Sequence, residues 1–263
     1  MCTLAIYYRV FPDYPVVVAA NRDEYLDRPA AAPAILSESP RIVGGKDLRA
    51  GGTWLGINEY GVIAGLLNRR TADYGPPDPK LRSRGLLCLE ALGFRDARAA
   101  ARFAAQQSGA AYNPFNLLVA SAEAAFVTYN RGGAIDQAEL APGFHLLTNA
   151  DVDDFECPRI SRSFSRFAEL AADPEFARDP LARRDDLARL LADHSTQLDP
   201  RNGRPNSLCM HLGDYGTRSA SMIFIGRDRR TARHFFAPGP PCRTAFAPAC
   251  APEPAEHAGS PER

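Results

Sequence analysis

Blocks of strand-like and helix-like periodicity succeed one another along this chain in an order that leaves few folds open. The first sixty-eight residues carry four short β-rich runs, 3–8, 15–20, 53–58 and 61–67, the last two bounded by Gly51-Gly52 and Arg69-Arg70. The last two, joined by Asn58-Glu59-Tyr60-Gly61, read as a hairpin. From 81 to 107 Ala, Leu and Arg recur at helical spacing with a break near Gly93, which predicts two helices able to cover one sheet face. Paired strand runs follow, 116–120 with 124–130 and 135–140 with 143–148, each read as a hairpin. Helices are expected over 159–172 and 180–194, the latter opening on a proline whose missing N–H costs nothing in a first turn. A final hairpin pairs 219–225 with 231–237. This order predicts an α+β protein of antiparallel sheets with helices packed on their outer faces.

A chain of 263 residues with 45% hydrophobic and 24% charged side chains has the composition of a folded domain. One domain over residues 1–246 is expected, followed by a disordered tail over 247–263, where Pro and Ala dominate without apolar periodicity. The formal charge is zero and the arginines are scattered, so nucleic acid is not an expected partner. No apolar stretch approaches the length of a membrane span, and the N-terminus does not read as a signal peptide, so a cytoplasmic protein is expected. Exposed strand edges permit a homo-oligomer without requiring one. Six cysteines without a CxxC pair are expected to be reduced thiols. Cys209-Met210-His211 has no second ligand pair at metal-binding spacing, so no metal and no cofactor is expected. Cys157-Pro158, a pattern met in haem ligation, reads better as a cysteine before a helix that starts at Pro158. His145, His194, His211 and His234 would be the other axial ligands on the haem reading.

Cys2 is where chemistry concentrates. Removal of Met1 would leave a thiol and a free α-amine on one residue. With an amine pKa of about 7.7–8.0, a useful fraction is neutral and able to take the thiol proton. Asn21-Arg22-Asp23-Glu24 follows the buried run 16–20. If the strand continues, Arg22 and Glu24 face one side and Asn21 and Asp23 the other. The guanidinium could then approach the thiolate while a carboxylate holds the amine. Trp54, the only tryptophan, follows Gly51-Gly52 and is either a stacking platform for a ligand or a core aromatic behind a tight turn.

These segments carry a resemblance. Met1-Cys2-Thr3-Leu4, the tetrad 21–24 with Tyr25 and Arg28-Pro29, and Gly51-Gly52-Thr53-Trp54-Leu55-Gly56 together look like the NRDE family, that of transport and Golgi organisation proteins. More distantly, the segment 61–68 and Leu147-Thr148-Asn149 are similar to segments of choloylglycine hydrolases and penicillin V acylases, which are cysteine N-terminal-nucleophile amidases. The resemblance implies a four-layer αββα sandwich. It also implies Asn68 and Asn149 as oxyanion donors, each worth about 3 kcal/mol of barrier. Arg218, in Tyr215-Gly216-Thr217-Arg218-Ser219, would be a second cation beside Arg22, favouring the thiolate. Asn21, Glu24 and Trp54 are candidate substrate contacts. In the amidases the acidic residue lies three positions after the first arginine, whereas Asp23 follows Arg22 directly. Whether Asp23 or Glu24 holds the amine is therefore open, and a bulge would reverse their facing. The resemblance implies an amidohydrolase acting on a non-peptide N-acyl bond in a small-molecule amide. Its alternative implication, from links of the family to haem export and lipid homeostasis, is a non-hydrolytic binder of haem or an acyl lipid in the inter-sheet cleft.

Overall fold

The computed structural model describes residues 2–70, 76–194, 198, 203, 206–228 and 232–252. Two antiparallel sheets lie face to face. The first takes β10 (Gly143–Leu147), β1 (Thr3–Tyr8), β2 (Val16–Tyr25), β12 (Tyr215–Ile225), β13 (Arg233–Ala237) and β14 (Ala247–Pro248) in that order, with the short β11 (His211–Leu212) also paired to β12. The second follows chain order from β3 (Ala30–Glu38) through β4 (Arg41–Asp47), β5 (Leu55–Asn58), β6 (Ile63–Asn68), β7 (Phe115–Ala120) and β8 (Ala125–Asn130) to β9 (Ile135–Glu139).

Strand alternation builds the layers. Leu4, Ile6 and Tyr8 of β1 point between the sheets, where they meet Val18, Ile57, Ile63, Leu118 and Ile223. Ala5 and Tyr7 point outward beneath α3 (Pro158–Ala172), α4 (Pro174–Arg178) and α5 (Arg184–Leu191). All of β1 is buried because both of its faces are covered. On the other sheet, α1 (Arg84–Ala91) and α2 (Ala97–Ala105) close the outer face. Helix α2 buries Ala97, Ala100, Ala101 and Ala104, a stripe of methyl groups that lets the helix lie close to β8. Asp96 caps that helix by accepting from the Ala99 N–H at 2.7 Å. Helices, sheet, sheet, helices is the expected four-layer order.

Several boundaries differ from the sequence reading. β3 and β4 form a hairpin that the β-rich runs did not include. β3 is an edge strand with no buried residue, rich in alanine and interrupted by Pro33, and its register shifts there. An edge tolerates a missing donor and needs no apolar alternation. The runs 135–140 and 143–148 are not a hairpin: β9 pairs with β8 and β10 with β1, so the chain crosses between sheets after Leu140. The helix expected over 180–194 is only α5. Within the tail expected from 247, Ala247–Pro248 is strand β14, paired to β13. Residues 253–263 of that tail lie outside the described residues.

Candidate active site

Register sets Thr3 opposite Asn21, so Cys2, one residue before β1, comes level with Arg22. The thiol is half-buried at the margin of the inter-sheet core, with Sγ 3.8 Å from the Asp23 carbonyl oxygen. β2 continues through the tetrad and its side chains alternate. Asn21 turns into the helical layer, where its amide donates to the Leu191 and Leu208 carbonyls at 2.9 Å each. Asp23 turns the same way, while Arg22 and Glu24 face the other side. The irregularity in this part of the sheet falls on the partner strand: Thr217 pairs with Asp23 and Ser219 with Arg22, leaving Arg218 as the extra residue of a bulge.

Arg22 is buried and sits over Trp54, with 4.3 Å from the guanidinium carbon to the ring centroid. The six-membered ring of the indole lies against Gly45, where an added Cβ would come within 2.4 Å of it. Trp54 is thus a wall of the site, in contact with both Gly45 and Arg22. Nη2 of Arg22 reaches Asp47 at 3.4 Å, and Asp47 also accepts from Arg28 Nε at 2.7 Å and from the Ala50 N–H at 2.9 Å. Nη1 of Arg22 is buried with no hydrogen-bond partner among the described residues. Burial lowers the Arg22 pKa, opposed by the nearby Cys2, Glu24 and Asp47. Burial pushes Asp47 up, but its bonds to Arg28 and the Ala50 N–H outweigh that and hold it below the usual carboxylate value. Burial raises the Cys2 thiol; Asp23 adds to the rise and Arg22 opposes it.

On the other face of β2, the Asp23 carboxylate accepts from Thr217 Oγ1 at 2.7 Å and pairs with Arg159 Nη1 at 3.2 Å. Arg159, in the first turn of α3, also donates to Thr3 Oγ1 at 3.0 Å and touches the Met210 thioether. Tyr215 donates its hydroxyl to the Asp23 carbonyl at 3.2 Å. Glu24 stays near the surface, bonded to its neighbour's N–H and 3.8 Å from Arg28.

Two cavities meet at Cys2. One, of about 20 Å³, lies between the sheets and is bordered by Leu4, Trp54, Leu55, Leu67 and Ala220; it has room for little more than a water. The other is a cleft of about 570 Å³ opening outward, with Arg22, Glu24, Arg28, Asp47 and Asn68 among its walls. That volume is in the range of small-molecule sites.

The model of one protein family, Transport and Golgi organisation 2, matches residues 1–235. The chain belongs to this family. Its relatives include a Transport and Golgi organization protein 2 homolog of Bos taurus, 32% identical over 235 residues that cover 82% of this chain and 83% of the relative. The Homo sapiens homolog is 27% identical over the same shares. In structure this Transport and Golgi organisation 2 family member resembles penicillin V acylase from Agrobacterium tumefaciens, with TM-score 0.59, 16% identity, and coverage of 94% of this chain and 84% of the other. It also resembles a Caenorhabditis elegans ortholog of N-acylethanolamine-hydrolyzing acid amidase, with TM-score 0.53, 14% identity and coverage of 84% and 92%. These neighbours show the fold: N-terminal-nucleophile hydrolase-like, two antiparallel sheets clad in helices.

The remaining expected residues of this Transport and Golgi organisation 2 family member lie at different depths. Asn68, at the exit of β6, is exposed and shares the outer cleft with Cys2. Asn149 is half-buried, and its carbonyl accepts from the Arg70 N–H at 3.1 Å, two residues past Asn68. Asn116 holds that loop by donating to the Thr148 and Ala150 carbonyls at 2.9 and 2.7 Å. Arg218 lines neither cavity at Cys2, and its buried Nε has no partner among the described residues. Sequence reasoning did not identify Asp47, Arg159 or Thr217. Asp47 ends a strand that the sequence pattern did not reveal, and nothing near Arg159 or Thr217 in sequence signals that they converge on Asp23. Cys157 is the buried residue before α3, in contact with Thr148, while His145 is bonded to Asp153 at 2.6 Å and to the Ala141 carbonyl at 2.8 Å. The expectation of no metal-ligand set rested on sequence spacing. The fold brings His194 and Cys242 to Cys209 and His211, with one ligand atom from each lying within 4.8 Å of the others.

Proposed function

We propose that the protein is a cysteine amidohydrolase acting on an N-acyl C–N bond of a small molecule, with Cys2 as nucleophile once Met1 is removed. The observation that carries this reading is that Cys2 and the unpartnered Nη1 of buried Arg22 border the same cavities. A buried cation with a spare donor next to a thiol opposes the rise that burial imposes on that thiol and offers a hydrogen bond to a polar ligand atom. In the proposed reaction the Cys2 sulfur attacks the amide carbonyl and the Cys2 amine takes the thiol proton. Asn68 and Asn149 stabilise the oxyanion, and the proton passes to the leaving amine as the C–N bond breaks. Water then attacks the thioester, releasing the acid and restoring the thiol. Asp23, fixed by Arg159 and Thr217, is the carboxylate suited to hold the amine, because it is buried on the first sheet beside the start of β1. Arg218 acts at longer range, and Asn21 positions the strand end.

The alternative, a carrier of haem or an acyl lipid between the sheets, has no support in the inter-sheet space at Cys2, which holds only about 20 Å³. Intact-mass measurement tests the prerequisite: the purified chain should lack one methionine. Incubation with a panel of N-acyl amides should then add an acyl mass to the peptide beginning at Cys2, and Cys2→Ala should abolish both adduct and turnover. Retained Met1, or turnover undiminished in Cys2→Ala, would overturn the reading.

A further inference from the structure

We propose that His194, Cys209, His211 and Cys242 form a tetrahedral site of two thiolates and two imidazoles for a zinc-class divalent cation, separate from the Cys2 cleft. The four come from the loop after α5, the approach to β11, β11 itself and the segment after β13. None of them lines either cavity at Cys2, so this site stands independently of the amidohydrolase reading.

Geometry argues for a metal. Cys209 and Cys242 sulfurs are 3.5 Å apart, and His211 Nε2 is 3.3 Å from Cys242 Sγ and 3.7 Å from Cys209 Sγ. Metal bonds of about 2.3 Å to sulfur and about 2.0 Å to nitrogen at tetrahedral angles put sulfurs about 3.8 Å apart and sulfur about 3.5 Å from nitrogen. The two sulfur–nitrogen separations bracket their edge, and the sulfur–sulfur separation of 3.5 Å falls slightly short of its own. His194 completes the set with its ring stacked on that of His211, centroids 5.2 Å apart. A disulfide would need the two sulfurs at about 2.05 Å and would leave two converging imidazoles without a purpose.

The ligands are held by contacts that do not involve the metal. The Cys209 N–H donates to the Asp193 carbonyl at 2.9 Å, and the Asp193 carboxylate is gripped by Arg162 and Arg166 at 2.9 and 2.7 Å. This fixes the turn that carries His194. Gly213, at φ +71°, makes the tight turn that folds β11 onto β12 and pairs His211 with Gly216. The Met210 N–H donates to Thr217 Oγ1 at 2.9 Å, and Thr217 in turn holds Asp23. A cation here would therefore brace the hairpin that carries Thr217.

Two thiolates and two imidazoles suit zinc rather than magnesium or calcium. Binding converts two thiols to thiolates, releases two protons to solvent, forms four coordinate bonds and changes no oxidation state. Two thiolates balance the dication, so no net charge is left beside buried Cys209.

The full chain, stripped with a chelator under reducing conditions, would be titrated with Zn²⁺ and in parallel with Co²⁺. About one equivalent should bind, and the cobalt form should show the intense visible bands of a tetrahedral thiolate site. Cys242→Ser and His194→Ala, both at positions that are not buried, should each weaken zinc binding at least about tenfold. Cys250→Ser, at an exposed cysteine outside the cluster, should leave it unchanged. The site is refuted by wild-type protein that binds no stoichiometric metal, by an octahedral cobalt spectrum, or by unaltered affinity in Cys242→Ser. It is equally refuted by a Cys209–Cys242 disulfide in protein prepared without reductant. The wild-type cobalt spectrum decides the matter even if a variant fails to fold.

Discussion

At the scale of single residues, the site depends on charges taken out of water and paired. Arg22 is buried, and its attachments are the indole of Trp54, the Asp47 carboxylate and the field of the nearby thiol. Asp47 therefore does two jobs: it balances Arg22 and Arg28 and, through the Arg49 and Ala50 N–H groups, it closes the turn after β4. Replacing Asp47 with Ala leaves two partly buried guanidiniums without their carboxylate and should destabilise the fold by about 2–3 kcal/mol, measurable in urea melts. The linkage has a definite sign. Because the Asp47 pKa is depressed in the folded state, its contribution is present above the unfolded value of about 3.9 and is lost as pH falls through the folded value. The penalty of Asp47→Ala should therefore shrink in acid. Sequence alone made Arg22 legible, because a cation after five apolar strand residues must be accounted for. Asp47 was not legible, because its importance comes from neighbours remote in sequence.

Elements set the precision of the cleft. The backbone after β4 passes against the start of α1 so closely that a Cβ on Gly52 would lie 2.1 Å from the Gly85 carbonyl carbon, and the Thr53 N–H donates to the Gly85 carbonyl at 3.0 Å. Backbone faces backbone here, so neither side can yield by changing a rotamer. Gly52→Ala should cost about 3 kcal/mol and displace α1 from the cleft wall, lowering the thermal midpoint. Gly51→Ala meets no atom but must hold φ +79°, and should cost closer to about 1 kcal/mol. A larger loss in Gly51→Ala than in Gly52→Ala would refute the close-approach argument. Glycine pairs of this kind mark a constraint in the sequence without saying what approaches. The same limit explains why runs 135–140 and 143–148 looked like a hairpin: strand propensity identifies strands, whereas the partner of each is decided by which sheet can cover its apolar face.

For the whole molecule, burial of ionisable groups between layers ties stability to pH. His234, enclosed in the first sheet, is held down to about 4 by burial, whereas an unfolded histidine titrates near about 6.5. Between those values the unfolded chain binds a proton that the native chain does not, so stability falls as pH falls through that window and levels off below the folded value. From about pH 7 to about pH 5 this amounts to roughly 2 kcal/mol. His234→Gln should flatten that part of the profile in urea melts at the two pH values, and an unchanged slope would show that other groups carry it. Among the described residues no helix is long and apolar enough to cross a membrane. The sequence by itself determined the strand and helix blocks, the family, and the alternation that turns Arg22 and Asp23 to opposite faces, because periodicity and local chirality act over a few neighbouring residues. Only the tertiary structure decided which strands share a sheet, that Arg159 and Thr217 close on Asp23, and that two histidines and two cysteines meet behind β11. Those contacts join segments far apart in the chain, and their energies exist only once the layers have packed.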